Sequence, residues 1–280
     1  MLGEGRMNGE SPKGVLSVIM PVYDEAPTVS TILAHVLRRP EVKEVLVVDD
    51  GSRDGSWEVI QGVAARDARV RAFRQERNQG KGAALRLAIP HLTAPFALVQ
   101  DADLEYDPDD YPRLLAPLLA GRADAVNGVR GFGAHTAYSY WFVKGNQLLT
   151  TLLNLLFNCY ITDLLSGYKV LRTELWRRLN LRSRGFEVET EIVAKVLRLG
   201  YRFHEVPITY ITRSRADGKK IRARHALRIL GMQLQVRCSP AHWLFGREAD
   251  LEYHRRRQME LADRHPLLSR LQGSLGGREE

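Results

Sequence analysis

The sequence predicts an α/β protein whose central sheet is mainly parallel and covered by helices on both faces. Near-continuous apolar segments at residues 15–20 and 44–48 are typical of strands that are buried on both sides. Each is followed by a segment of helical period, which begins near Pro27 in the first case and at Ser56, after a Gly-rich turn, in the second. Strands that alternate with helices in this way indicate right-handed βαβ units.

The alternation continues further along the chain. More strands are predicted at residues 70–73, 96–100, 125–128 and 206–210. More helices are predicted after a loop at residues 78–84, from Pro108, and at residues 141–159, 187–199 and 221–237. The second half of the chain changes character, because longer helical segments replace the regular alternation.

The helix predicted at residues 141–159 has an unusually wide apolar face. One interpretation is that this helix is buried in the core or in the interface of a homodimer. The other is that it lies in a membrane surface, where Trp141 and Phe142 would anchor it. The residues alone leave both interpretations open.

Length and composition favour one globular domain with short extensions. The 280 residues are 44% hydrophobic, which excludes global disorder. We interpret residues 1–14 as a mobile tail, 15–237 as the domain and 238–280 as a charged helical extension. Because neither a signal peptide nor a long apolar run is found, we expect a cytoplasmic protein, or one peripheral to the cytoplasmic membrane face. Cys159 and Cys238 lack metal-ligand spacing and are expected to be unpaired.

The net charge of +8 indicates an anionic partner. Lys and Arg are concentrated late in the chain, between Arg213 and Arg237. Nucleic acid is not expected, because neither zinc-finger spacing nor an aromatic RNA-stacking signature accompanies these residues. Phosphorylated substrates or an anionic membrane surface fit better, and the alternative is a solvated helix face.

Three carboxylates, from Asp101, Asp103 and Glu105, follow the strand predicted at residues 96–100. Alternate side chains of an extended chain share a face, so we expect these three to point the same way. They would repel one another unless a cation lay among them, and hard oxygen ligands suit Mg²⁺ or Mn²⁺. Such an ion would bind the diphosphate of a nucleotide sugar. The alternative for an isolated cluster is a solvated acidic loop.

Two earlier strands end in similar chemistry. Tyr23 and Glu25 follow the first strand, and Asp49 and Asp50 follow the second. In open α/β sheets, ligands bind in the crevice beyond the carboxyl ends of the strands. Three polar strand ends therefore predict one binding crevice.

Four motifs resemble those of family 2 glycosyltransferases: PVYDE at residues 21–25, VDDGS at 48–52, NQGKG at 78–82 and DAD at 101–103. Segments at residues 163–169, 185–189, 205–208 and 213–219 narrow the resemblance to the dolichyl-phosphate (polyprenyl-phosphate) mannosyl- and glucosyltransferase branch. The likeness covers residues 15–237 in order, which is far more specific than any single motif.

The resemblance implies a Rossmann-like GT-A fold and an inverting, Mg²⁺- or Mn²⁺-dependent hexose transfer from a nucleotide sugar, UDP-glucose or GDP-mannose, to a polyprenyl phosphate. By position, Asp103 would be the catalytic metal ligand, with Glu105 beside it. The implied donor-binding residues are Pro21, Tyr23 and Glu25 for the nucleoside, Val48 and Asp50 for the base, Asp101 and Ala102 for the ribose and diphosphate, and Arg130, Arg213 and Lys219 for the phosphates.

Three departures from the family pattern bear on function. Asp24 stands where Asn is more usual, and Glu105 where many relatives have Gln. At position 105, Glu and Gln both bind a hard cation through oxygen. The metal site is therefore retained, while the preference for one donor over another stays open. Arg237 is followed by Cys238 instead of Trp, so the Gln-x-x-Arg-Trp signature of processive synthases is absent. This argues against a polymerase.

The acceptor decides whether a general base is needed. A phosphate monoester is anionic near neutral pH, whereas a hydroxyl must lose its proton to a carboxylate. Asp163 is the candidate base for a hydroxyl acceptor, and its alternative role is that of an N-cap or turn aspartate. The carboxylates at 187, 189 and 191 are expected to be solvated at a helix start, and the alternative is that one or two of them face the acceptor. Residues 213–220 are expected to close as a lid over the diphosphate.

Two other functions remain as alternatives. A sugar-phosphate nucleotidyltransferase also binds sugar nucleotides at a strand edge, but it should carry a Gly-rich phosphate loop directly after the first strand, where this chain has PVYDE. The other alternative is a non-catalytic nucleotide-binding protein.

Overall fold

The computed structural model describes residues 12–131, 140–211 and 224–245. Within them, seven strands form one sheet in the order β3-β2-β1-β4-β6-β5-β7. The strands are β1 Leu16–Val22, β2 Val42–Asp49, β3 Val70–Arg74, β4 Phe96–Val99, β5 Ala125–Val129, β6 Lys169–Arg172 and β7 Phe203–Pro207. Neighbouring strands are parallel, except that β6 runs antiparallel to both β4 and β5. The prediction of a mainly parallel sheet is confirmed.

Helices cover both faces of this sheet, as predicted. Those in the described residues are α1 Ala26–Leu37, α2 Ser56–Ala64, α3 Lys81–Ala88, α4 Tyr111–Leu119, α5 Tyr140–Phe157, α6 Thr173–Arg178, α7 Val188–Arg198, α8 Arg224–Cys238 and α9 Ala241–Phe245. In β1, Val18 and Met20 pack with α1 and α4, whereas Ile19 packs on the other face with α3, α6 and α7. Each such side chain, fully buried, contributes about 1.5–3 kcal/mol.

Two strands differ from the sequence prediction. The strand β6 was not expected, because a segment of four residues is too short to show a period of two. The last strand covers Phe203–Pro207 instead of residues 206–210. It ends there because its parallel partner β5 ends at Val129, which lies opposite Pro207.

The long helix α5 divides its apolar face between the core and the surface. Leu149 and Leu153 are buried in a third hydrophobic cluster with residues of α7 and α8. Trp141, Leu148 and Leu155 are instead 78%, 61% and 74% exposed. Core burial therefore explains only one side of this helix. No helix in the described ranges is both long enough and apolar enough to cross a membrane.

The segment after α8 also contacts the domain. Leu244 of α9 is buried, and Arg182 Nη2 donates a hydrogen bond of 2.6 Å to the carbonyl oxygen of Trp243. Residues 241–245, at the start of the predicted extension, thus pack on the domain. Residues 1–11 and 246–280 lie outside the described residues. Cys159 and Cys238 are unpaired, as expected.

Candidate active site

A cavity of about 480 Å³ opens at the carboxyl ends of β1, β2 and β4. This is where an open α/β sheet binds its ligands. Of the residues expected in the site, the cavity is lined by Pro21, Tyr23, Glu25, Asp50, Asp101, Ala102, Asp103, Glu105 and Arg130. The crevice predicted from three strand ends therefore exists, with most of the expected side chains around it.

Two expected site residues, Val48 and Asp163, do not line the cavity, and two others lie outside the described residues. Val48 is fully buried in the hydrophobic cluster on the face of the sheet that α3, α6 and α7 cover. Asp163 is buried and pairs with Arg130, which does line the cavity. Arg213 and Lys219, together with the predicted lid at 213–220, lie outside the described residues.

The loops after β1 and β2 are tied to each other. The Asp24 amide donates to Ser52 Oγ (3.0 Å), and the Arg53 amide donates to Asp24 Oδ1 (2.9 Å). Asp24 has a φ of +52°, a region that Asp and Asn tolerate better than most residues. The replacement of the more usual Asn by Asp24 is therefore compatible with the turn that places Tyr23 and Glu25 in the cavity wall.

Asp50 connects the second strand end to the NQGKG segment. Its two carboxylate oxygens accept hydrogen bonds from the backbone amides of Gln79 (2.7 Å) and Gly80 (2.8 Å). Burial raises the pKa of Asp50, these two hydrogen bonds lower it, and the charge of Asp49 raises it further, so that the net shift is upward. The segment is thus anchored to the carboxyl end of β2, at the wall of the cavity.

The acidic loop is not extended, so the argument from alternating side chains is wrong. β4 ends at Val99, residues 102–103 form a turn, and Leu104 has a φ of +61°. The turn, and not strand alternation, brings Asp101, Asp103 and Glu105 to one cavity. The Glu105 amide donates to Asp103 Oδ1 (3.2 Å), which closes the turn on itself.

Lys81 and Glu189 line the cavity as well, although Glu189 was predicted from the sequence only as a less favoured alternative and Lys81 was not predicted. Lys81 Nζ lies 2.6 Å from Asp101 Oδ1 and 2.7 Å from Glu189 Oε1. Lys169 Nζ lies 2.9 Å from Glu189 Oε2. The four side chains therefore form a continuous row of alternating charges. The glycines on either side of Lys81 in NQGKG are the sequence signal that could have drawn attention to it.

The expectation that the carboxylates at the start of α7 are solvated is wrong for two of the three. Glu189 is 4% exposed and Glu191 is 1% exposed. Burial would raise the pKa of Glu189, but the ammonium groups of Lys169 and Lys81 hold it below its ordinary value. Glu191 lies 2.7 Å from Lys195 and accepts hydrogen bonds from the backbone amide of Ser183. These carboxylates can be buried because lysines compensate their charges, from α3 and β6 for Glu189 and from α7 itself for Glu191.

Glycine is required where the NQGKG segment meets the 183–185 loop. Gly80 has a φ of +95°, and a Cβ there would overlap the carbonyl oxygen of Arg184. A Cβ at Gly82 would overlap the carbonyl oxygen of Ser183. This close backbone contact brings the first residue of α3, Lys81, next to Glu189 near the first turn of α7.

Arg130 and Asp163 form a two-pronged ion pair. Arg130 Nε donates to Asp163 Oδ2 and Arg130 Nη2 to Oδ1, both at 2.8 Å. Asn146 Nδ2 also donates to Oδ1 (2.8 Å). Burial would raise the pKa of Asp163, but the charge and hydrogen bonds of Arg130 and the amide of Asn146 hold it below its ordinary value. A carboxylate with a lowered pKa is a weak base, so this geometry favours an anchoring role for Asp163.

The ionisable groups that line the cavity among the described residues carry an excess of negative charge. Six carboxylates face two cations, a difference of four negative charges: Glu25, Asp50, Asp101, Asp103, Glu105 and Glu189 against Lys81 and Arg130. Such a surface repels a diphosphate unless cations accompany it. Asp103 and Glu105 fit the hard-cation chemistry of Mg²⁺ or Mn²⁺, which proteins commonly bind through one or two carboxylates together with substrate phosphates.

A different acidic group lies on the surface. In the described ranges, His35, Asp107 and Asp109 have potential ligand atoms within 4.8 Å of one another. Arg39 Nη1, however, already lies 2.7 Å from Asp109 Oδ1 and places a positive charge there. None of these residues lines the cavity.

Comparison with known proteins agrees with these features. The model of the family described as Glycosyl transferase family 2 matches residues 17–179. Glycosyltransferase AglJ of Haloferax volcanii is 32% identical over 201 residues, which are 70% of this chain and 63% of that protein. An undecaprenyl-phosphate 4-deoxy-4-formamido-L-arabinose transferase of Pseudomonas aeruginosa is 34% identical over 139 residues, 46% of this chain and 40% of that protein. The matches thus span less than two thirds of either relative.

The fold is also found in solved structures. Glucosyl-3-phosphoglycerate synthase from Mycobacterium tuberculosis, in complex with Mn²⁺, UDP and glucosyl-3-phosphoglycerate, superposes with a TM-score of 0.61. The match covers 81% of each chain at 20% sequence identity, which bears on the fold alone. The GT-A fold implied by the sequence motifs is confirmed. With the family model covering most of the sheet and the cavity, the chain belongs to glycosyl transferase family 2.

Proposed function

We propose that this protein is an inverting, divalent-metal-dependent glycosyltransferase that moves a hexose from a nucleotide sugar to a polyprenyl phosphate. The observation that carries the proposal is the cavity, which combines polar side chains at the ends of β1 and β2, a carboxylate loop and apolar side chains in one space. UDP-glucose and GDP-mannose are the candidate donors. The two relatives are named as transferases of sugars, which supports the reaction class, and the Pseudomonas aeruginosa relative is named for undecaprenyl phosphate.

The donor would lie along the three strand ends. Pro21, Tyr23 and Glu25 would hold the nucleoside, and Asp50 would accept a hydrogen bond from the base. Asp101 and Ala102 would contact the ribose and diphosphate. Asp103 and Glu105 would hold Mg²⁺ or Mn²⁺, and Arg213 and Lys219 would contact phosphate oxygens. When bound, the ion would neutralise the charge that develops on the diphosphate leaving group.

The acceptor phosphate would approach the anomeric carbon from the face opposite the diphosphate. A phosphate oxygen forms the new bond to that carbon, the bond from the carbon to the diphosphate oxygen breaks, and the configuration inverts. No proton has to be removed from an ionised phosphate, so no strong base is needed. The paired, low-pKa state of Asp163 beside Arg130 supports this acceptor over a hydroxyl.

Contact with a membrane surface would deliver such an acceptor. Trp141, Leu148 and Leu155 are seven residues apart, so that they share one exposed stripe of α5. The neighbouring helix α8 exposes Leu227 and Leu234 and carries exposed Arg228 and Arg237. Phe142, Leu165 and Ile229 add apolar lining to the cavity itself. Apolar insertion and attraction of cations to anionic lipid would act together.

The experiment measures transfer from labelled UDP-glucose and GDP-mannose to polyprenyl phosphate, with and without Mn²⁺. We expect a lipid-linked sugar that forms only with the metal. Asp103→Ala should lower the rate at least about 100-fold, because the bound ion is worth several kcal/mol. Asp109→Ala, an exposed aspartate away from the cavity, is the matched control and should be unaffected.

Three other outcomes would contradict the proposal. Metal-independent donor binding of equal strength in Asp103→Ala would overturn the site assignment. Transfer to a soluble hydroxyl acceptor, and none to the lipid, would establish the alternative acceptor and return Asp163 to the role of base. Formation of a sugar nucleotide from a nucleoside triphosphate would instead identify a nucleotidyltransferase.

A further inference from the structure

Asp101 is held at both of its carboxylate oxygens. Oδ1 lies 2.6 Å from the ammonium nitrogen of Lys81. Oδ2 packs against Gly167, where an added Cβ atom would lie 2.6 Å from it, so a larger residue would push this carboxylate out of its place. Asp101 and Gly167 both line the cavity, and 24% of the Asp101 side chain is exposed. The carboxylate is therefore fixed in orientation and still accessible to a ligand.

The lysine that holds Oδ1 is itself fixed by the fold. Lys81 Nζ also lies 2.7 Å from Glu189 Oε1, and the Lys81 side chain is only 9% exposed. Burial would lower the pKa of Lys81, but the two carboxylates raise it above its ordinary value, so the group stays charged. The backbone on either side has little room to move, because Gly80 and Gly82 pack closely against the 183–185 loop.

A second lysine fixes Glu189 in turn. Lys169, on β6, is fully buried and lies 2.9 Å from Glu189 Oε2. Its ammonium group also donates to two backbone carbonyl oxygens that precede it in the chain. Because Lys169 comes two residues after Gly167, one short segment supports the carboxylate of Asp101 from two sides. Gly167 contacts that carboxylate directly, and Lys169 supports it through Glu189 and Lys81.

We propose that Lys81 is a positioning residue, which holds the carboxylate of Asp101 in the orientation that accepts a hydrogen bond from a ribose hydroxyl of the donor. A carboxylate that is already oriented loses little conformational freedom when the ligand binds, so the hydrogen bond contributes more to affinity. This inference rests on the proposed function, in which Asp101 contacts the ribose. Lys81 acts through Asp101, so its effect should depend on that carboxylate and on the hydroxyl.

The test compares UDP and GDP with their 2′-deoxy and 3′-deoxy analogues, by calorimetric titration at saturating Mn²⁺. In wild type, loss of the hydroxyl that Asp101 binds should weaken the better-bound nucleotide at least about tenfold, the usual cost of a hydrogen bond to a charged group. In Lys81→Met the same loss should matter less than about threefold, because the carboxylate is no longer oriented. Equal losses in the two proteins, or no loss in wild type, would overturn the inference.

A double-mutant cycle separates positioning from the charge of Lys81, since loss of a positive charge by itself weakens diphosphate binding. Lys81→Met should weaken nucleotide binding at least about fivefold in the wild-type chain and at most about twofold in Asp101→Asn. Lys43→Met, at an exposed lysine that does not line the cavity, is the matched control and should bind as wild type does. Equal costs of Lys81→Met in both chains would show that Lys81 acts on the nucleotide without Asp101.

Lys81→Met should fold, because Glu189 keeps Lys169 as a partner, and urea unfolding checks this. Lys81→Gln is the second variant if it folds poorly. The amide nitrogen of glutamine stands one bond short of the lysine Nζ position, which is too short for the present contact with Asp101. The loss of the hydroxyl should again matter less than about threefold. A loss as large as that of wild type in folded Lys81→Gln would overturn the inference.

A failure of this inference differs from a failure of the proposed function. Wild type that binds neither UDP nor GDP at saturating Mn²⁺ would contradict the proposed function, and this inference with it. Tight nucleotide binding to which the ribose hydroxyls contribute nothing, or contribute equally in wild type and Lys81→Met, would overturn the role of Lys81 alone and leave the transfer reaction as proposed.

Discussion

Tyr210 donates a hydrogen bond of 2.5 Å to Glu105 Oε2, although the two residues are 105 positions apart. The amide of Ile211 donates to the carbonyl oxygen of Glu105 (3.0 Å), and Tyr106 forms a β-bridge with Tyr210. The segment that follows β7 is therefore hydrogen-bonded to the acidic loop through both side chain and backbone. Directly after this contact begins the basic segment that carries Arg213 and Lys219.

Tyr210→Phe should raise the Mn²⁺ concentration needed for half-maximal transfer about tenfold, because the hydroxyl fixes the carboxylate of a proposed metal ligand. Activity at saturating Mn²⁺ should change much less. Tyr160→Phe, at a residue that is 85% exposed, is the control and should leave the Mn²⁺ dependence unaltered. An unchanged dependence in Tyr210→Phe would show that Glu105 needs no support from this hydroxyl.

Asp163→Asn should destabilise the fold by about 3–5 kcal/mol, since it leaves the buried Arg130 guanidinium without a compensating charge. Removing both charges, with Arg130→Met in the same chain, should cost less than the sum of the two single changes. Urea unfolding measures both. Glu174→Gln, which breaks an exposed pair with Arg178, should cost under about 0.5 kcal/mol. Additive losses at 130 and 163 would contradict a coupled pair.

The same ion pair predicts a pH dependence of stability. The pKa of Asp163 is lowered in the folded state, so its contribution to the free energy of unfolding is complete above the unfolded-state pKa of about 4. It is lost as the pH falls through the lower, folded-state value. The free energy of unfolding, measured with urea from pH 7 to pH 2, should therefore fall less steeply below about pH 4 in Asp163→Asn than in wild type. Parallel curves would mean that Asp163 titrates alike in both states.

Gly80→Ala should destabilise the protein more than Gly55→Ala does. The two glycines have nearly equal φ values, +95° and +92°, but ψ is 161° at Gly80 and 2° at Gly55, so only Gly80 lies in a backbone region that is essentially restricted to glycine. A Cβ at Gly55 meets nothing within 4 Å, whereas one at Gly80 overlaps a backbone carbonyl. We expect a difference of about 1–3 kcal/mol in urea unfolding, the usual cost of overpacking. Equal losses would show that neither the backbone conformation nor the 183–185 loop restricts Gly80.

Trp141→Ala should weaken sedimentation with vesicles that contain anionic lipid, by about tenfold, because it removes an exposed apolar side chain from the proposed membrane contact. High salt should weaken binding of the wild type as well. Leu119→Ala changes an exposed leucine on α4 and should have no effect. If wild type binds no vesicle at any lipid charge, the membrane contact is wrong and a soluble acceptor becomes the better proposal.

The sequence alone predicted the mainly parallel architecture of the sheet and the position of the cavity, although it missed β6. Apolar runs such as β1 are buried on both faces only in a covered, mainly parallel sheet, so their pattern indicates the architecture directly. The carboxyl ends of parallel strands meet at one edge of the sheet. For that reason the sequence was enough to assign Glu25, Asp50 and Asp103 to one crevice. These features depend on the local pattern of apolar residues and on the order of strands and helices, and both can be recognised in the sequence.

Only the tertiary structure decided which charges meet. Lys81, Asp101, Glu189 and Lys169 come from three helices or strands and one loop, and no local pattern records that they form a single row. The same holds for Arg130 and Asp163. The sequence made Asp163 a candidate base, and only the tertiary structure shows that its carboxylate pairs with Arg130. A buried charge depends on what surrounds it in space, and desolvation makes that dependence strong. The backbone turn at Leu104, likewise, replaced the strand alternation that sequence spacing suggested.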